Sequence, residues 1–89
     1  MLNTSELAQQ IMSLHQRAYG EYLPLVEDIC ARQASEDEVE LLLDYLLDFC
    51  GEKHCLELFK KVCRHYYPIH PRAIAFEINS YREFYEEEK

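Results

Sequence analysis

Ser35-Glu36-Asp37-Glu38-Val39-Glu40-Leu41-Leu42-Leu43-Asp44-Tyr45-Leu46-Leu47-Asp48-Phe49-Cys50-Gly51 reads as one complete helix, and the other segments are most easily placed around it. Ser35 is a good N-cap. Glu38, three residues later, closes a capping box in which each side chain satisfies a backbone donor that would otherwise stay open. Gly51 is positioned to end the helix, because glycine accepts the left-handed conformation that a helix terminus favours. Between those signals Val39, Leu42, Leu43, Leu46, Phe49 and Cys50 recur at helical spacing and define one buried face. The opposite face is anionic, since the stretch holds six carboxylates and no base. Glu36, Glu40, Asp44 and Asp48 follow one another at i+4, where each like-charge pair costs roughly 0.2–0.5 kcal/mol. The helix dipole compensates Glu36, Asp37 and Glu38 but not Asp44 and Asp48, which lie toward its negative end. Two explanations of the residual repulsion stay open: a basic partner neutralises it, or solvent screens it on an outward face.

The whole chain has 89 residues and a formal charge of -8, with 48% hydrophobic and 29% charged residues. That length suits one domain with a single core, and that composition suits an ordinary globular protein rather than a disordered one. The negative charge argues against direct binding to nucleic acid or to an anionic membrane surface, both of which depend on basic footprints. Met1-Leu2-Asn3-Thr4-Ser5-Glu6 lacks the basic start and apolar run of a signal peptide, and no apolar run is long enough to span a bilayer. A cytoplasmic location is therefore expected. In that reducing compartment Cys30, Cys50, Cys55 and Cys63 are expected as small core residues, without disulfides. They contain no Cys-x-x-Cys pair, and with His54, His65 and His70 they match no structural zinc module, so neither metal nor cofactor is expected.

Two glycines and three prolines leave few turns, and no stretch alternates apolar and polar residues for long, which argues for helices alone. Asn3 with Glu6 offers a helix start, from which Leu7, Ile11, Leu14, Ala18, Tyr22, Leu25 and Ile29 continue one apolar stripe. Pro24 lacks an amide donor and its ring meets the carbonyl of Gly20, so a kink or break is expected within residues 19–24, giving helices at about 4–19 and 21–33. A third helix is expected from about Glu52 to Tyr67, ended by Pro68, with Cys55, Phe59, Val62 and Tyr66 inward. It carries four bases, Lys53, Lys60, Lys61 and Arg64, against Glu52 and Glu57. As an antiparallel neighbour of the acidic helix it would set those bases opposite its acids. Pro71 suits the first position of a last helix whose inner face is Ala73, Ile74, Ile78, Tyr81 and Tyr85. The expected fold is all-α: a compact antiparallel four-helix bundle in one domain, residues 1–89, with the first helix kinked or split near Gly20–Pro24.

Residues for catalysis are not assembled in the sequence. Cys63 with His65, and Cys55 with His54, point in different directions on a helix; Ser80 has no nearby histidine, and no glycine-rich phosphate loop exists. The expectation is a protein that is not an enzyme. Seven tyrosines without a tryptophan are more telling, because tyrosine supplies large contact area with a polar tip and is favoured at binding surfaces. Tyr66 and Tyr67 are adjacent at a helix end and cannot both face the core, so one is expected beside Pro68 in solvent.

Tyr22-Leu23-Pro24-Leu25-Val26-Glu27-Asp28-Ile29-Cys30, the capped acidic helix from Ser35, Tyr66-Tyr67-Pro68, and Pro71 followed by Ile74, Ile78, Tyr81 and Arg82 together resemble the helical immunity proteins that neutralise nuclease bacteriocins such as the DNase colicins. The resemblance spans roughly residues 21–84 and rests on short motifs. It implies a small acidic four-helix bundle in which Glu36, Glu40 and Asp44 set partner specificity and Tyr66 and Tyr67 supply shared binding energy. The chain departs from that pattern at Cys63, where the family has aspartate, at Arg64 and His65, which replace apolar residues, and over residues 1–19, which have no counterpart. The expected partner surface is thus Glu36, Asp37, Glu40, Asp44, Asp48, Tyr66 and Tyr67. The expected function is that of a bacterial immunity or antitoxin-like protein covering a basic protein partner, a nuclease toxin. The alternatives are a self-associating helical module, in which the basic third helix of one copy meets the acidic second helix of another, and a thiol or metal sensor using Cys50, Cys55 and Cys63.

Overall fold

Helix α1 occupies Thr4–Ala31, α2 Glu36–Leu47, α3 Lys53–Tyr66 and α4 Pro71–Tyr81, and a π-helical turn, Arg82–Glu86, extends α4. The computed structural model describes residues 4–86; before Gln16, side chains are described only for Glu6, Gln9, Gln10 and Leu14. Among the described residues there is no strand, and the four helices pack as a bundle.

Helix α1 runs unbroken for 28 residues with Pro24 inside it, which corrects the expected split into two helices. Proline in a helix interior costs about 3 kcal/mol or more. Packing on both sides of it supplies the offset: Ala18 is buried upstream, and Val26 and Ile29 downstream, in the core. The buried line is Ala18, Val26 and Ile29, with Tyr19, Tyr22, Leu23 and Cys30 half-buried beside it. Leu25, expected on that line, faces outward, as does Leu14. Leu7 and Ile11 lie outside the described side chains.

Helix α2 starts as its capping box requires. The Ser35 hydroxyl oxygen accepts from the Glu38 amide at 3.2 Å, and Glu38 Oε1 accepts from the Ser35 amide at 3.3 Å. Val39, Leu42, Leu43, Leu46 and Leu47 are buried along it. It ends at Leu47, with Asp48 as C-cap, rather than at Gly51, and no glycine has a positive φ. A local turn follows, in which the Phe49 amide donates to the Leu46 carbonyl at 2.9 Å and the Cys50 amide to that of Leu47 at 3.2 Å, and the Leu47 carbonyl also accepts from the Tyr85 hydroxyl at 2.7 Å. A turn and a tertiary contact together thus take the place of a left-handed glycine cap.

The end of α1 is closed in the same manner. The Tyr66 hydroxyl lies against the carbonyls of Ile29 and, at 2.8 Å, Arg32, and accepts from the Ala34 amide at 3.0 Å. Next to it His70 Nε2 donates to the Ala34 carbonyl at 3.1 Å, and its ring stacks on Tyr66 with centroids 5.6 Å apart. One knot of two aromatic side chains therefore ties the α1–α2 junction to the α3–α4 junction.

These contacts set the directions. Tyr22 meets Phe49, so α1 and α2 are antiparallel; Tyr66 reaches Ala34, so α3 returns antiparallel to α2. His70 at Ala34 and Tyr85 at Leu47 then run α4 alongside α2 from its start to its end. Helix α3 begins with Glu52 as N-cap, accepting from the amides of His54 at 2.9 Å and Cys55 at 3.1 Å. Cys50, Cys55 and Cys63 are buried. Burial pushes the Cys50 and Cys63 thiols up to about 12 and the Cys55 thiol to about 11, so all three stay neutral and pack as small apolar groups. Among the described residues no helix is long and apolar enough to cross a membrane.

Candidate binding face on helix α2

The carboxylates of α2 divide into three sets. Glu38 is engaged internally: Arg32 Nη1 and Nη2 meet its two oxygens at 3.0 and 3.1 Å, while Arg32 Nε meets Asp28 at 3.0 Å. The Arg32 guanidinium, followed by the Ser35 amide, holds the Glu38 carboxyl below the usual carboxylate range. This pairing is fully solvated, so it orients side chains more than it stabilises the fold. Glu36, Asp37, Asp44 and Asp48 are exposed, and Glu40 is half-buried. Among the described residues no lysine, arginine or histidine pairs with any of these five.

The expected neutralisation by α3 does not occur. Lys53, Lys60, Lys61 and Arg64 are exposed, and the one ion pair among them is local, Lys60 with Glu57 at 3.8 Å. Helix α3 packs against α2, and Leu58, Phe59 and Val62 share one core with Val39, Leu42, Leu43 and Leu46. Joining two amphipathic helices by their apolar faces turns their charged faces apart.

The third set is a seam between α2 and α4. Glu77 of α4 is 1% exposed, and its Oε1 has no hydrogen-bond donor. Its carboxyl is pushed up to about 8, first by burial, then by its hydrogen bond with Asp44 and by the charges of Asp44 and Glu40. Two ionised carboxylates cannot hydrogen-bond to each other, since neither donates. One proton resolves the clash: protonated Glu77 donates to Asp44, so the pair no longer sets one acceptor against another.

Tyr66 and Tyr67 have opposite environments. Tyr66 is 0% exposed and saturated with backbone partners, so it is a structural residue and no part of a free surface. Tyr67, the C-cap of α3, is 54% exposed. Because Tyr66 touches Ala34, Tyr67 stands at the Ser35 end of α2, with Asp48 at that helix's other end.

The apolar anchors within the acidic face belong to other residues. Leu41 and Tyr45, one turn apart on α2, are 53% and 51% exposed, and Leu25 faces them from α1. They border a groove of about 220 Å³ whose polar edge is Asp28, Arg32 and Glu38. The strip Asp37, Leu41, Asp44, Tyr45, Asp48 thus alternates carboxylates with apolar side chains on one side of the helix. Sequence reasoning missed Leu41 and Tyr45 by treating the outward face as purely anionic. The signal was present, since both fall about 100° around the helix from the Leu42–Leu46 line.

A second groove, about 360 Å³, lies between α3 and α4 over Leu56, Phe59, Cys63, Ile78 and Tyr81, and its rim carries Lys60, Arg64 and Arg82, the last paired with Glu86 at 3.9 Å on the same rim. No family model, curated protein or solved structure matches this chain.

Proposed function

We propose that this chain is a small acidic binding protein that neutralises a basic bacterial toxin of the nuclease type by covering its cationic surface, in the manner of an immunity protein or antitoxin. The observation that carries this reading is the strip Asp37, Leu41, Asp44, Tyr45 and Asp48, whose carboxylates pair with no base among the described residues and whose apolar side chains stand in solvent. Unpaired charge of one sign speeds encounter with the opposite sign, and aromatic anchors ringed by charge slow release. Glu36 and the exposed Tyr67 extend the surface at the Ser35 end, and Glu40 extends it toward α4. Tyr66 acts from inside, by holding the junction that positions Tyr67.

The test is inhibition of purified bacteriocin nuclease domains at equimolar protein. The expected result is salt-sensitive association with one of them, slowed by Asp48→Lys and made faster to dissociate by Tyr45→Ala or Tyr67→Ala, with thermal unfolding unchanged. Absence of inhibition across such nucleases, or inhibition indifferent to all three substitutions, refutes the proposal.

A second reading has its own observation. The cation-rimmed α3–α4 groove has the charge and apolar floor to receive the acidic, apolar strip of another copy. Such contacts are head-to-tail and do not close on themselves. Sedimentation velocity over a wide concentration range decides: a persistent monomer removes this reading, and concentration-dependent growth abolished by Arg64→Glu supports it.

A further inference from the structure

Glu77 is the one charged side chain that the fold buries among the described residues. The groups that face it are acidic or neutral: Asp44 and Glu40 from α2, and the neutral Cys63 thiol from α3. No base reaches it among the described residues. Asp44 is exposed and Glu40 half-buried, so the seam opens to solvent on its α2 side, toward the strip proposed above as the binding face. A buried carboxyl with an unpartnered oxygen is thus aimed into a cluster of exposed carboxylates.

We infer that the α2–α4 seam receives a cationic side chain of the protein partner, an arginine or lysine that settles between Asp44 and Glu40 and displaces the proton Glu77 shares with Asp44. The exchange balances. Neutral Glu77 and the Asp44 carboxylate begin with one negative charge and one shared proton; the Glu77 O–H bond breaks, the proton leaves to solvent, and the incoming cation, held by Asp44 and Glu40, offsets the charge left on Glu77. The seam's net charge does not change, so the cation enters without adding an uncompensated buried charge. Before binding the seam holds its proton at neutral pH, because burial and two carboxylate neighbours favour the neutral acid. The proposal rests on the basic-partner reading and adds to it a coupling between binding and pH, in which affinity rises with pH by up to roughly tenfold per unit for each proton released.

An oligo-arginine peptide at low ionic strength is the probe. Titration calorimetry in two buffers of different ionisation enthalpy counts the protons released on binding. The expected result for the parent protein is release approaching one proton at neutral pH, with affinity tightening roughly three- to tenfold per pH unit just below pH ~8. Glu77→Gln keeps the shape and can donate its amide hydrogen to Asp44, so it is expected to fold, bind the peptide, release no proton from this site and show a flat affinity over the same interval. Every other titratable group is the same in both proteins, so the difference between the two isolates Glu77. Binding without proton release, or equal release from Glu77→Gln, overturns the coupling and leaves the acidic-face reading standing. No peptide binding at all, or binding indifferent to Asp44→Asn, overturns both.

Discussion

Replacing Tyr66 with phenylalanine removes one oxygen atom and tests how the bundle is closed. The ring stays where it is, fully buried and stacked on His70, so no cavity larger than the hydroxyl opens. What changes is hydrogen bonding: the Ala34 amide loses its acceptor at 3.0 Å, and the Ile29 and Arg32 carbonyls lose the donor they share. A buried donor or acceptor left unpaired costs about 1–3 kcal/mol. With one donor and one carbonyl orphaned, the expected loss is about 2–6 kcal/mol. That is a large share of the total stability of roughly 4–13 kcal/mol for a chain of this length. Urea denaturation followed by circular dichroism measures it as a lower midpoint at unchanged slope, and melting should fall by about 4–8 °C for each kcal/mol. Tyr67→Phe is the matched control. Its hydroxyl is on an exposed side chain, so its effect should stay within about 0.5 kcal/mol. Equal stability of the two variants, or a Tyr66→Phe loss below about 0.5 kcal/mol, would refute the junction as the closing element.

The pH dependence of stability follows from Glu77. Its folded-state value is raised from 4.5 to about 8, so the folded state holds the proton more tightly than the unfolded state. The contribution is fully present below the ordinary carboxylate value and is lost as pH rises from about 4.5 through 8. At about 1.4 kcal/mol per unit the window spans up to about 5 kcal/mol. Melting curves of Glu77→Gln should lack this decline, and a parallel decline in both proteins would show that another group causes it. At the start of α3, Glu52→Ala removes the acceptor for the His54 and Cys55 amides and should cost about 1 kcal/mol by denaturant midpoint; no change would mean that water replaces the cap.

The start of α2, most of its leucine face, the burial of Cys50, Cys55 and Cys63 and the proline-led start of α4 were legible in order along the chain, because each depends on residues within one or two helical turns; Ile78 and Tyr85, expected on the inner face of α4, are exposed, Glu77 is buried there, and Cys30 is only half-buried. Capping boxes and apolar periodicity are local, and local contacts need no knowledge of the rest of the fold. The end of α3 before Pro68 was legible for the same reason, but what closes the ends of α1 and α2 was not. Tyr66 reaches the end of α1 and Tyr85 that of α2 from 37 and 38 residues away, and nothing near Ala31 or Leu47 announces a phenol arriving from another helix. The same holds for α1 across Pro24, where buried Val26 and Ile29 outweigh a local penalty that the sequence states plainly.

The candidate face divides along this line. Its charge was written in the order of residues 36–48, since i+4 spacing alone gathers carboxylates on one side of a helix. Which of those carboxylates would remain open to a partner, which tyrosine would face solvent, and that Glu77 would be carried inward against Asp44 were decided by the way α2, α3 and α4 pack. Periodicity identifies the side of a helix that seeks the core, but the rotation at which that side meets its neighbours is a property of the assembled bundle.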